Sequence, residues 1–106
     1  MSVDTERRRT PRSPFGAVAE VTASKSGKYL IALTGQLGRL GCFVKTATSF
    51  PAGEKVVLTT THDAREFTVS GEVVYARPAE GMGIAFDAIA IDGQTVLEGW
   101  LAQSAV

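Results

Sequence analysis

The sequence holds one cysteine and one histidine, Cys42 and His62, and these two scarcities remove most of the chemistry a small protein can carry. A single thiol makes an internal disulfide impossible and leaves no cysteine framework for zinc. With one imidazole, the usual metal sets and hydrolytic triads lack parts. No carboxylate pair stands out as an acid and a base, so the chain is not expected to be an enzyme. No apolar run approaches the roughly 20 residues of a membrane span, and the N-terminus lacks the apolar core of a signal peptide. A cytoplasmic location is the default expectation. Internal repeats and low-complexity segments are also missing.

Net charge is absent as well, but its zero hides an asymmetry. Residues 1–12 hold four arginines against Asp4 and Glu6, a sum of +2, which leaves seven basic against nine acidic side chains, or −2, in the remainder. The positive field is confined to one short arm, so DNA or RNA binding is not expected. What remains is ordinary for one soluble domain: 106 residues, 44% apolar and 21% charged, near the size at which a single core becomes sufficient.

Residues 1–14 are polar, arginine-rich and carry Pro11 and Pro14, which reads as a flexible arm unable to bury enough apolar area to fold alone. Residues 15–106 read as one domain of short strands. Phe15–Thr22 alternates Ala17, Ala19 and Val21 against Val18 and Glu20, and Lys28–Leu33 follows a SKSG turn. A glycine loop, Thr34 to Leu40, leads into a third strand at Gly41–Thr46. The fourth strand is Glu54–Thr61, with His62–Arg65 as a hairpin tip. In Glu66–Arg77, Phe67, Val69, Val73 and Tyr75 share one face, and Gly71 predicts a bulge or sharp bend there. Met82, Ile84 and Phe86 form the last strand. The period then changes: Asp92 is the predicted N-cap of a helix of about three turns, with Val96, Leu97, Trp100 and Leu101 on its apolar stripe. The fold class expected is all-β, a six-stranded antiparallel barrel with a C-terminal α-helix and an N-terminal arm.

Two stretches carry chemistry. ERRRTPR (Glu6 to Arg12) offers guanidinium groups, which suit phosphate forks and stack on flat rings. TGQLGRLGCFV (Thr34 to Val44) has three glycines within seven residues, Gly35, Gly38 and Gly41, which allow tight turning and close approach of a ligand. Together they point to a nucleotide-sized anion. The plainer readings are that the arm is a solvated tail and the glycines are turn residues. Cys42 reads as a buried small hydrophobe, His62 as a solvated loop residue and Trp100 as a packed one. Asp63, Glu66 and Glu72 read as a solvated face.

In order and separation, ERRRTPR, LGCFV and EGMGIAF (Glu80 to Phe86) resemble the PilZ domain, a six-stranded barrel that binds the bacterial second messenger cyclic di-GMP. The resemblance runs from about Glu6 to Phe86, and the C-terminal helix also fits. It implies an arginine pair with three residues between, which Arg8 and Arg12 supply. Arg7 just before them resembles the case in which two ligand molecules bind. It also implies a loop of an acidic residue or Asn, any residue, Ser, two of any kind, and Gly. Aligned on Gly41, those positions hold Gln36 and Gly38, so only the final glycine is kept. Gln36 keeps a donor and an acceptor, Gly38 only backbone groups, and Arg39 could replace a lost phosphate contact. Losing two polar contacts of about 1 kcal/mol or more each weakens binding on the order of tenfold to several hundredfold. Two functions follow from the resemblance: a cyclic di-GMP sensor that signals to an effector protein, or a degenerate domain of the same fold working through protein contacts alone. No cofactor other than the ligand is implied. A domain this short is expected to pass its signal to a separate protein.

Overall fold

The computed structural model describes residues 13, 14, 16–87 and 89–104. Its elements are β1 (Ser13–Pro14), β2 (Val18–Ala23), β3 (Tyr29–Leu37), β4 (Gly41–Lys45), β5 (Lys55–His62), β6 (Arg65–Arg77), β7 (Gly81–Phe86) and α1 (Ile91–Ser104). All pairings are antiparallel. The sheet runs β1-β3-β2-β5-β6-β7-β4, and β4 pairs back onto β3. Closure through that last pairing turns β2–β7 into a six-stranded barrel, as expected. Closing a sheet also removes most of the edge that would otherwise recruit other chains.

Period-two patterning places the core. Ala17, Ala19, Val21 and Ala23 are buried while Val18 and Glu20 face out, and Val56, Leu58, Phe67, Val69, Val73, Met82 and Ile84 complete the interior. The helix seals one end of it. Leu97 and Trp100 on α1 are buried, and Phe67 meets Trp100 edge-on with ring centroids 6.3 Å apart. Truncating Phe67 to Ala is expected to cost about 3–5 kcal/mol, read by chemical denaturation.

Several expectations change. The helix begins at Ile91, and Gln94 N already donates to Ala90 O, so Asp92 lies inside the first turn instead of capping it. There its carboxylate favours the positive end of the helix dipole. The helix has 14 residues, nearer four turns than three. No register shift occurs at Gly71. The shifts fall between Val73 and Tyr75 on β6 and between Thr34 and Gln36 on β3. Gly71 is instead a point of close approach, where a Cβ would lie 2.5 Å from the Ala85 carbonyl oxygen. The β6 bulge puts Tyr75 on the outer surface, where its ring lies over Gly83. His62 is half-buried and meets Trp100 edge-on at 5.7 Å. The hairpin tip is only Asp63 and Ala64, both at positive φ (54° and 62°), the pair that a two-residue turn between twisted strands requires.

Candidate functional site

The glycine stretch is mostly strand. β3 continues through Gly35 and Gln36 to Leu37, and Gly38 N donates to Gly41 O at 2.9 Å, which leaves Arg39 and Leu40 as a two-residue hairpin tip. The bulge explains how Gln36 is aimed. Thr34 and Leu37 are both buried, three positions apart, with Gly35 and Gln36 half-buried between them. Two successive residues therefore face outward where simple alternation would allow one.

β1 meets this segment on its other side. Ser13 pairs with Leu37 and Pro14 with Gln36, so Gln36 sits between Pro14 of β1 and Phe43 of β4. Arg7, Arg8 and Arg12 lie outside the described residues. In the chain, however, Arg12 is bonded to Ser13, the residue seated opposite Leu37. Two distant stretches of sequence are thus brought to one end of one strand.

The remaining predicted residues are placed as follows. Gly38 is buried and its N–H is engaged by Gly41, so only its carbonyl is left for another partner. Arg39 is exposed and its Nη2 lies 2.9 Å from Glu98 Oε1 on α1. Both side chains are more than half exposed (64% and 52%), so solvent screens the pair and it holds the turn to the helix only weakly. Gly41 has a structural reason to be glycine: a Cβ there would run into the carbonyl oxygen of Ile84 on β7. Retention of that glycine follows from barrel closure alone.

Sequence reasoning overlooked the surface beside Gln36. Phe43 is half-buried between the buried Cys42 and Val44, and so points outward. It stacks on Tyr75 with centroids 6.2 Å apart and planes 24° off parallel. The Arg77 guanidinium lies over Tyr75 at 5.2 Å, and Lys45 is the neighbouring outward residue on β4. The GCFVK alternation held the signal for Phe43. Tyr75 was hidden because the bulge reverses its face. This cluster is aromatic and carries two cations, one of which, Arg77, already lies over the Tyr75 ring, and such a combination suits a purine ring and a phosphate.

Among the described residues no group of His, Cys, Asp and Glu could hold a metal ion, and no helix is long and apolar enough to cross a membrane.

Comparisons with known proteins extend this description. The PilZ domain model matches residues 6–103. The PilZ domain of YcgR from Escherichia coli, solved with c-di-GMP, superposes with a TM-score of 0.74 at 12% identity, covering 93% of this chain and 92% of that one. The PilZ domain of CeSA from a cellulose-synthesizing bacterium gives 0.68 at 18% identity, with 84% and 96% covered. The Bacillus subtilis inhibitor of motility, MotI/DgrA, gives 0.72 at 19% identity over 93% of this chain and 51% of that one. The chain thus spans about half the length of MotI/DgrA and nearly all of the two isolated domains. At these identities the superpositions establish the fold. No curated protein sequence matches significantly.

Proposed function

The chain belongs to the PilZ domain family, and from that premise we propose that it is a cyclic di-GMP-binding adaptor that signals to a partner protein. The observation that supports this most is the pairing of β1 with the end of β3, because it joins the arginine arm to the segment that holds Gln36. In this reading Arg8 and Arg12 grip the phosphates and the guanine O6/N7 edges, with Arg7 favouring a second ligand molecule. Gln36 replaces the acidic or Asn position of the family loop. Gly38 contributes its carbonyl, Gly41 keeps the hairpin closed against β7, and Arg39 turns from Glu98 to a phosphate. The Phe43–Tyr75 cluster supports a base, with Arg77 moving off the Tyr75 ring to admit it or stacking on the base in turn. The protein acts as a binding domain and not an enzyme, in the bacterial cytoplasm.

The output would use what the ligand orders. An arm that closes over the barrel, and a hairpin tip released from α1, each alter the surface a partner sees.

A second reading is favoured by three observations at the same site. Gly38 has no hydroxyl and its N–H is taken, Gly41 is explained by packing, and Arg39 already has a carboxylate. A degenerate domain that binds only protein would keep all three. Isothermal titration with cyclic di-GMP separates the readings. The sensor predicts Kd of about 1 μM or lower, lost in the Arg8→Ala, Arg12→Ala double mutant. A folded protein that gives no heat at high ligand sinks the sensor and leaves the degenerate reading.

A further inference from the structure

β3 is paired unevenly along its length. β4 ends at Lys45, opposite Leu33, so Tyr29–Ala32 pair with β2 alone. The bonds from Ala23 N to Lys28 O and from Thr34 N to Ala17 O fix the phase of the β2–β3 ladder. Lys28, Leu30, Ala32 and Thr34 turn their backbone groups to β2, and the alternation of an antiparallel pair leaves the N–H and C=O of Tyr29 and Ile31 facing the other way. Among the described residues no strand lies on that side.

The side chains of this stretch are equally unusual. Tyr29, Ile31 and Leu33 are 55%, 61% and 53% exposed, and Val18, opposite Leu33, is 43% exposed. Single exposed apolar residues are ordinary, but a run at every second position, beginning at Leu33 where β4 stops and continuing through Ile31 and Tyr29 along the unpaired edge, is not. Edges are normally blunted by charge, proline or a bulge, and Tyr29–Ala32 has none of these. Across from Lys28, Tyr29 and Leu30 stands the β4–β5 loop, and a groove of about 510 Å³ lies between them, with Thr48, Ser49 and Phe50 on its far wall. Ser49 Oγ is buried in that wall without a hydrogen-bond partner among the described residues, a state that native structures seldom leave unanswered.

We propose that this groove receives an extended segment of a partner protein, which adds to β3 as a further strand. The proposal rests on the adaptor reading but not on ligand binding, since the groove is at the opposite end of β3 from Gln36. Only another extended backbone presents donors and acceptors at the two-residue repeat of Tyr29 and Ile31. The Thr48–Phe50 wall favours a single segment over a second barrel, which would have to bring its own loop into the same space. Apolar side chains at alternate positions of the segment cover Tyr29 and Ile31. The groove's lining carries one charge of each sign, Lys28 and Glu54, which favours a segment with an acidic residue beside the first and a basic one beside the second.

Short random peptides displayed on phage and selected against the full chain provide the probe, followed by amide hydrogen exchange with a selected peptide in solution. The free protein should exchange Tyr29 and Ile31 amides fast and those of Leu30 and Ala32 slowly, and the peptide should slow the first pair about tenfold or more. Ile31→Pro removes an outward N–H without touching the bonds to β2, and should weaken the peptide about tenfold. Ile31→Lys tests the same edge if proline disturbs the fold. Four results overturn the proposal: no peptide selected, protection at other amides, slow exchange at Tyr29 and Ile31 in the free monomer, or a dimer in sedimentation that protects them. A chain that takes the peptide but not cyclic di-GMP loses the sensor and keeps this site. The reverse loses this site alone.

Discussion

At its Leu37 end β3 has a strand on each side, β1 and β4, and it closes in a two-residue hairpin whose tip reaches α1 through Arg39 and Glu98. At its Tyr29 end it has a strand on one side only, and its outward side chains are large and apolar. The first end fixes polar groups in position, which a small anionic ligand needs for orientation. The second leaves backbone groups and apolar area unspent, which another polypeptide can use. One strand thus separates a candidate ligand end from a candidate partner end, and the barrel wall between them is continuous packed sheet.

Between the two ends of β3, the larger effect on stability is expected at the closed one. Gly41→Ala drives a Cβ against the Ile84 carbonyl and should cost about 3 kcal/mol of stability by urea denaturation. Gly16→Ala, with nothing within 4 Å of the added carbon, serves as its control. A tolerant Gly41 would mean that the β4–β7 approach is looser than described. Next, Gln36→Asp with Gly38→Ser should tighten cyclic di-GMP on the order of tenfold to a hundredfold in calorimetry. No gain would separate Gln36 from the ligand. A smaller change is expected from Glu98→Ala, which frees Arg39 and should improve affinity about threefold, a fraction of the worth of a charged hydrogen bond. The same variant should leave stability within about 0.5 kcal/mol, since the pair is solvent-screened. The least effect belongs to the open end: Ile31→Lys should change stability by less than about 0.5 kcal/mol, and a larger loss would show that the edge is covered.

Much of the barrel was legible because alternation is a local signal. The buried Ala17, Ala19 and Val21, the inward Phe67, Val69 and Val73, and the helical stripe through Trp100 all follow from period alone. Bulges were not legible. An extra residue at Gly35–Gln36 or at Val74 is set by the register of strands distant in sequence, so local pattern alone places Gln36 in a loop and Tyr75 on the face of Phe67, Val69 and Val73. The role of Gly41 was hidden for a related reason, since the oxygen it avoids belongs to Ile84, 43 positions later. The unpaired edge at Tyr29 depends on where β4 stops, which no local pattern records. The arginine pair was legible as a motif, and its placement lies outside the described residues.

The most direct test of a ligand end on β3 is an amide NMR titration of the chain with cyclic di-GMP. Shifts are expected at Ser13, at Gln36 through Gly41 and at Phe43, with Tyr29 through Ala32 unmoved. Shifts centred on Tyr29–Ala32, or none at saturating ligand, would contradict that placement.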